Sequence, residues 1–208
     1  MNIIYSLLLI FLIALVLMGF FYAYKSPIKL KVIAYISLIL FFAKIIALVI
    51  LILANNQAYL YLIKPLYSLD IIAIPAMILL SIIVICKKNK VDIKYYISFF
   101  ILLVLSYLVV IIKFTSCTIL TNGLIYSYRY NELYLYEILF LFFMLIFLIM
   151  ENMINLTSKI VFIFYLACFI SCIDNFLYIL VPKFLPEYVV GEILFVLVFD
   201  LCLKEVKR

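Results

Sequence analysis

Seven apolar runs, each about the length that crosses a bilayer and most of them bounded by charge, limit what this chain can fold into. A hydrocarbon core roughly 30 Å thick is crossed by roughly 20 helical residues rising about 1.5 Å each. Inside lipid every backbone N–H and C=O needs a partner within its own segment, so each run reads as a helix. The runs fall at about 2–24, 32–56, 66–86, 95–113, 132–150, 160–180 and 187–203 of the 208 residues, which leaves room for loops and ends only. The expected fold is therefore all-α, a polytopic membrane protein whose single transmembrane domain, residues 1–208, is a seven-helix bundle. Composition agrees, with 72% hydrophobic and 12% charged residues. Histidine is absent altogether. That removes the commonest general base, haem ligand and zinc ligand together, so no cofactor and no metal are expected.

Lysine and arginine sort by side, as the positive-inside rule requires. Alternate connections carry Lys25, Lys29 and Lys31, then Lys87, Lys88, Lys90 and Lys94, then Lys159, then Lys204, Lys207 and Arg208. The opposite side has only Lys64, Lys113, Arg129 and Lys183, and Lys44 lies within a span. The N-terminus is thus expected outside and the C-terminus in the cytoplasm of a bacterial or archaeal plasma membrane. The net charge of +6 becomes a topology signal and an attraction to anionic inner-leaflet lipid. No basic face or motif accompanies it, so nucleic acid is not an expected partner. Residues 1–24 lack the positive start and small-residue cleavage site of a signal peptide and read as a retained helix. Among the cysteines only Cys117 falls in an outer loop, which leaves no partner for an external disulfide. Cys168 and Cys172 share a helix face as packing residues. The Asn155-Leu156-Thr157 glycosylation triplet falls in a cytoplasmic loop and is discounted.

An internal echo aligns Leu60-Tyr61-Leu62-Ile63-Lys64-Pro65 with Leu177-Tyr178-Ile179-Leu180-Val181-Pro182. It admits a 3+1+3 parallel repeat of the kind some transporters use; chance similarity between aromatic helix ends explains it equally well.

Ionisable groups inside spans are costly, by about 2.5–3.5 kcal/mol each on insertion scales, and so are functional candidates. Counting helical rise places Asp70, Glu137, Asp174 and Glu192 roughly 6–9 Å below the outer surface. Lys44 starts near mid-membrane, but its stem can carry the ammonium toward the same layer. Tyr67, Asn175 and Tyr178 join them, giving a candidate ligand-binding set of Lys44, Tyr67, Asp70, Glu137, Asp174, Asn175, Tyr178 and Glu192. Two readings stay open. The acids line an outward-facing polar cavity, or they serve packing, with Lys44 and Asp174 as a buried pair fixing helix register. The many outer tyrosines are divided in the same way between cavity wall and interfacial belt. Asp200 is expected near the inner surface, reaching water or Lys204 at i+4. The long outer connection, about Phe114 to Asn131, has Asn122-Gly123 as a turn signal and reads as a lid over the cavity.

The run Tyr61–Ile85 with Pro75, and above all Ile170-Ser171-Cys172-Ile173-Asp174-Asn175-Phe176-Leu177-Tyr178-Ile179 followed by Pro182 and Pro186, resemble the N-terminal seven-helix sensor region of bacterial histidine kinases and diguanylate cyclases. The resemblance maps that family's sixth-helix asparagine and tyrosine onto Asn175 and Tyr178, and its third-helix proline onto Pro75. Such regions feed a cytoplasmic kinase or cyclase, which this sequence does not contain; either the output is missing, a signalling partner supplies it, or the resemblance is of fold alone. The expectation is a sensor or receptor-like membrane protein that binds a small ligand and passes a conformational change to that partner. The alternatives are a small-solute or proton-coupled transporter and a non-catalytic accessory subunit. An enzyme is not expected. An Asp70–Asp174 dyad lacks the flanking glycines of intramembrane hydrolases, and the last span has no central lysine for a Schiff base.

Overall fold

A computed structural model of the chain describes residues 3–53, 63–85, 93–113, 117–122, 125–130, 159–180 and 189–206. The helices are α1 (Ile3–Tyr24), α2 (Ile28–Leu53), α3 (Asp70–Ile85), α4 (Ile93–Lys113), α5 (Lys159–Leu180) and α6 (Val189–Val206). Each covers an expected span to within a few residues. The expected span at 132–150, with Glu137, lies outside the described residues, as do residues 60–62 and 181–182 of the internal echo.

The join between α1 and α2 shows how the sequence sets a boundary. Pro27 disfavours helical geometry at Ser26 and lacks an N–H of its own. The Lys25 and Ser26 amides close the end of α1 on the Tyr22 and Ala23 carbonyls, both at 3.1 Å. The Pro27 carbonyl then accepts the Lys31 amide at 2.9 Å, beginning α2. A helical stretch at 63–67 leads into α3 through a tightened turn, in which the Leu69 and Ile71 amides reach the Leu66 and Ser68 carbonyls. Pro75 sits inside α3.

Helices α1, α2, α3 and α6 pack as a four-helix core sharing one apolar cluster that includes Leu12, Phe41, Met77 and Phe199. The next layer is formed by α5, laid against α6 through Phe164, Ala167, Cys168, Phe195 and Cys202, and by α4, laid against α3 through Leu103 and Ala76. Packing on three sides buries α6 along most of its length. By contrast α1 exposes Ile4, Leu7, Phe11 and Met18, and α4 exposes Ile101, Leu105, Leu108 and Ile112. Those residues recur at helical spacing, so each helix presents an apolar stripe outward. Among the described residues, three helical segments, Ile4–Tyr24, Leu30–Leu53 and Ile63–Val84, are long and apolar enough to cross a membrane. A helical bundle of this kind fits a polytopic membrane protein.

Two expectations change. The connection at 114–131 is not simply a loop, because Cys117–Asn122 (β1) and Ile125–Tyr130 (β2) form an antiparallel hairpin. Its register runs from Cys117↔Tyr130 to Asn122↔Ile125, and β2 lies near α2. The segment is rich in Thr, Ile and Tyr, which favour strands, and the Asn122-Gly123 signal falls where the strands meet. The described residues are therefore helical with one β-hairpin rather than all-α. Asp200, expected to reach water or Lys204, is instead 5% exposed, because α6 lies between α1, α3 and α5.

Candidate functional site

Lys44 is the only charged residue between Lys31 and Lys64, and it sits on the buried face of α2 beside Phe41, Ile45 and Leu48. Its stem is enclosed, so the ammonium must find its partners inside the bundle. Asp70 stands in the first turn of α3 and Glu192 in the first turn of α6. Both helices therefore present the positive ends of their dipoles near a carboxyl group, a placement that favours negative charge there.

The three meet in one layer. Lys44 Nζ donates to Asp70 Oδ2 at 3.0 Å and to Glu192 Oε1. The side chains of Lys44, Asp70 and Glu192 are 1%, 5% and 0% exposed. Asp70 Oδ1 also accepts the Ile71 amide at 2.9 Å. The Tyr67 ring lies under the ammonium, 5.8 Å from Nζ to centroid, within cation–π range. At 3.0 Å and an effective dielectric near 20, the Lys44–Asp70 attraction is roughly 5 kcal/mol. Removing each ion from water costs several kcal/mol, so the triad adds little net stability as a unit. Its effect is positional: one ammonium ties together three helices whose residues are far apart in sequence.

Neighbouring interactions fix the layer's geometry. Tyr107, on α4, donates its hydroxyl to the Pro65 carbonyl at 2.8 Å and so anchors α4 to the stretch leading into Asp70. Gly191 lies beside Glu192, and a Cβ there would sit 2.8 Å from Ser171 Oγ and 3.2 Å from Ser171 Cα. Glycine therefore allows α5 to press its backbone against α6 at this level.

Of the sequence candidates, Lys44, Tyr67, Asp70 and Glu192 come together. Asp174, Asn175 and Tyr178 belong to α5, beyond Ser171 along that helix, but their side chains lie outside the described residues, and so does Glu137. The buried partner that the sequence suggests for Lys44 is Asp174, whose side chain lies outside the described residues; among the described residues Lys44 pairs with Asp70 and Glu192. Tyr107, Ser171 and Gly191 are not among the residues the sequence singles out. Glycine's rarity, with 3 in the chain, is the available signal for Gly191. Among the described residues, no group of three or more Cys, Asp or Glu side chains is placed to hold a metal ion. Comparison with protein-family models, curated proteins and solved structures finds no match to this chain.

Proposed function

We propose that the chain is a sensor-like membrane protein of seven spans, N-terminus outside, in which a small ligand competes for the Lys44–Asp70–Glu192 layer. The observation that carries this reading is that a single buried ammonium bridges carboxyls on two different helices. A ligand that takes over one carboxyl loosens α6 from α2, and α6 runs from that layer to the basic end at Lys204. Such a ligand shifts the bundle only by its difference in affinity for the paired and opened arrangements. Asp174, Asn175, Tyr178 and Glu137 would complete the ligand's surroundings. The moved end of α6, on the cytoplasmic side in this reading, would be sensed by a signalling partner.

One feature favours a second reading, a small-solute or proton-coupled transporter: among the described residues, buried carboxyls on two different helices meet at one ammonium. Two assays on the purified full chain separate the readings. The first is thermal unfolding against a panel of small amines, amino acids and carboxylates; the second is proton flux in proteoliposomes. Sensing predicts stabilisation by a panel member that weakens at least tenfold in Glu192→Gln, with no flux. Flux that disappears in Asp70→Asn would replace the sensor with a transporter. No response in either assay would leave a structural subunit.

A further inference from the structure

Two turns beyond Glu192 on the same helix, about 12 Å along its axis, α6 carries a second buried acid that the triad does not use. Asp200 is 5% exposed, and neither carboxyl oxygen has a hydrogen-bond partner among the described residues. The pocket that receives it is shaped for it. A Cβ at Gly19 of α1 would lie 2.7 Å from Asp200 Oδ1 and 3.0 Å from a Leu38 methyl of α2. The bare glycine leaves room there for the carboxyl and the Leu38 methyl where they stand.

We propose that Asp200 in the Gly19 notch is a proton-binding site, separate from the Lys44 layer. The choice of ligand follows from the donors. A bound metal ion needs about six or more oxygens, whereas Gly19 and Leu38 add no side-chain donor to the two oxygens of Asp200. A proton needs only one oxygen. An ionised carboxylate surrounded by apolar groups without hydrogen bonds is among the most expensive species to bury, and a bound proton removes that charge.

Among the described residues no charged group pairs with Asp200 in place of a proton. On α1 the charged or titratable groups toward the basic end are Tyr22, Tyr24 and Lys25, and Lys25 lies over the Phe21 ring at 3.6 Å. On α2 the described ones are Tyr35 and Lys31, with Lys31 over the Tyr24 ring at 4.3 Å. Ser81 of α3 donates to the Met77 carbonyl, and the described titratable groups of α5 are half-buried Tyr165 and buried Cys168. On α6 itself Cys202 is buried, while Lys204 and Glu205 are exposed. None of these forms an ion pair with Asp200 among the described residues.

The test is infrared spectroscopy of the full chain in lipid at neutral pH, with isotope-labelled aspartate so that only aspartyl bands shift. The wild type should show the carbonyl stretch of a protonated acid. Asp200→Asn should remove that band and keep the thermal midpoint, since asparagine matches the neutral acid in shape. Gly19→Ala, which crowds the carboxyl without removing it, should shift the same band and so assigns it independently of Asp200→Asn. A wild type without a protonated-acid band overturns the proposal, and so does a band unchanged in both variants. Marked destabilisation by Asp200→Asn overturns it too, because it would mean an ionised carboxylate held by a cationic partner.

Discussion

Substituting Gly191 by alanine should force α5 away from α6 at the level of the ion triad. The new Cβ would stand 2.8 Å from Ser171 Oγ, 3.1 Å from its Cβ and 3.2 Å from its Cα. Non-bonded carbon atoms attract most strongly at about 3.5–4.0 Å, so the helices must part by roughly half an ångström. The serine hydroxyl can rotate aside, but the α5 backbone cannot. Overpacking of this kind costs about 1–3 kcal/mol. The reasoning also specifies a rescue: Ser171→Gly removes the two nearest atoms, Oγ and Cβ, and leaves only the main chain of α5 in the way. Equilibrium unfolding in detergent should show Gly191→Ala destabilised by at least about 1 kcal/mol against wild type. In the Ser171→Gly background the same change should cost less than half as much. A Gly191→Ala chain as stable as wild type, or an equal cost in both backgrounds, would refute the close approach of α5 to α6.

Tyr107→Phe removes the hydrogen bond to the Pro65 carbonyl and should lower stability by about 0.5–1.5 kcal/mol, with faster amide exchange at the start of α3 as the local readout. Tyr67→Leu keeps the apolar bulk and removes the ring from beneath Lys44, so unfolding free energy should fall by about 0.5–2 kcal/mol. That loss should largely vanish when Lys44 is already methionine.

Periodicity and length make the helices readable from sequence, because a run such as Ile3–Tyr24 has only one way to satisfy its backbone in lipid. Four site residues are readable for a related reason. Lys44, Tyr67, Asp70 and Glu192 can be assigned a depth by counting residues, and an acid or lysine within a span demands a partner. Which partner Lys44 takes is beyond counting, since depth says nothing about neighbours around the bundle. The packing of α6 on α3, and its approach to Lys44, are set by Ile193, Val196, Phe199 and Met77, which in sequence look like any other apolar residues. Asp200 escapes the sequence for the same reason. Its position near a helix end suggests water, yet the four-helix core closes over it. The hairpin at Cys117–Tyr130 is hidden because its turn signal does not reveal strand pairing, which depends on register.

The central claim is that Lys44 and Glu192, 148 positions apart, form one charge pair inside the bundle. A double-mutant cycle of Lys44→Met and Glu192→Gln, read by equilibrium unfolding of the full chain in detergent, measures that pairing directly. The account predicts a favourable coupling of at least about 1 kcal/mol between the two positions, as for buried groups that touch. Effects that simply add, within about 0.5 kcal/mol, would place the two side chains apart and contradict it.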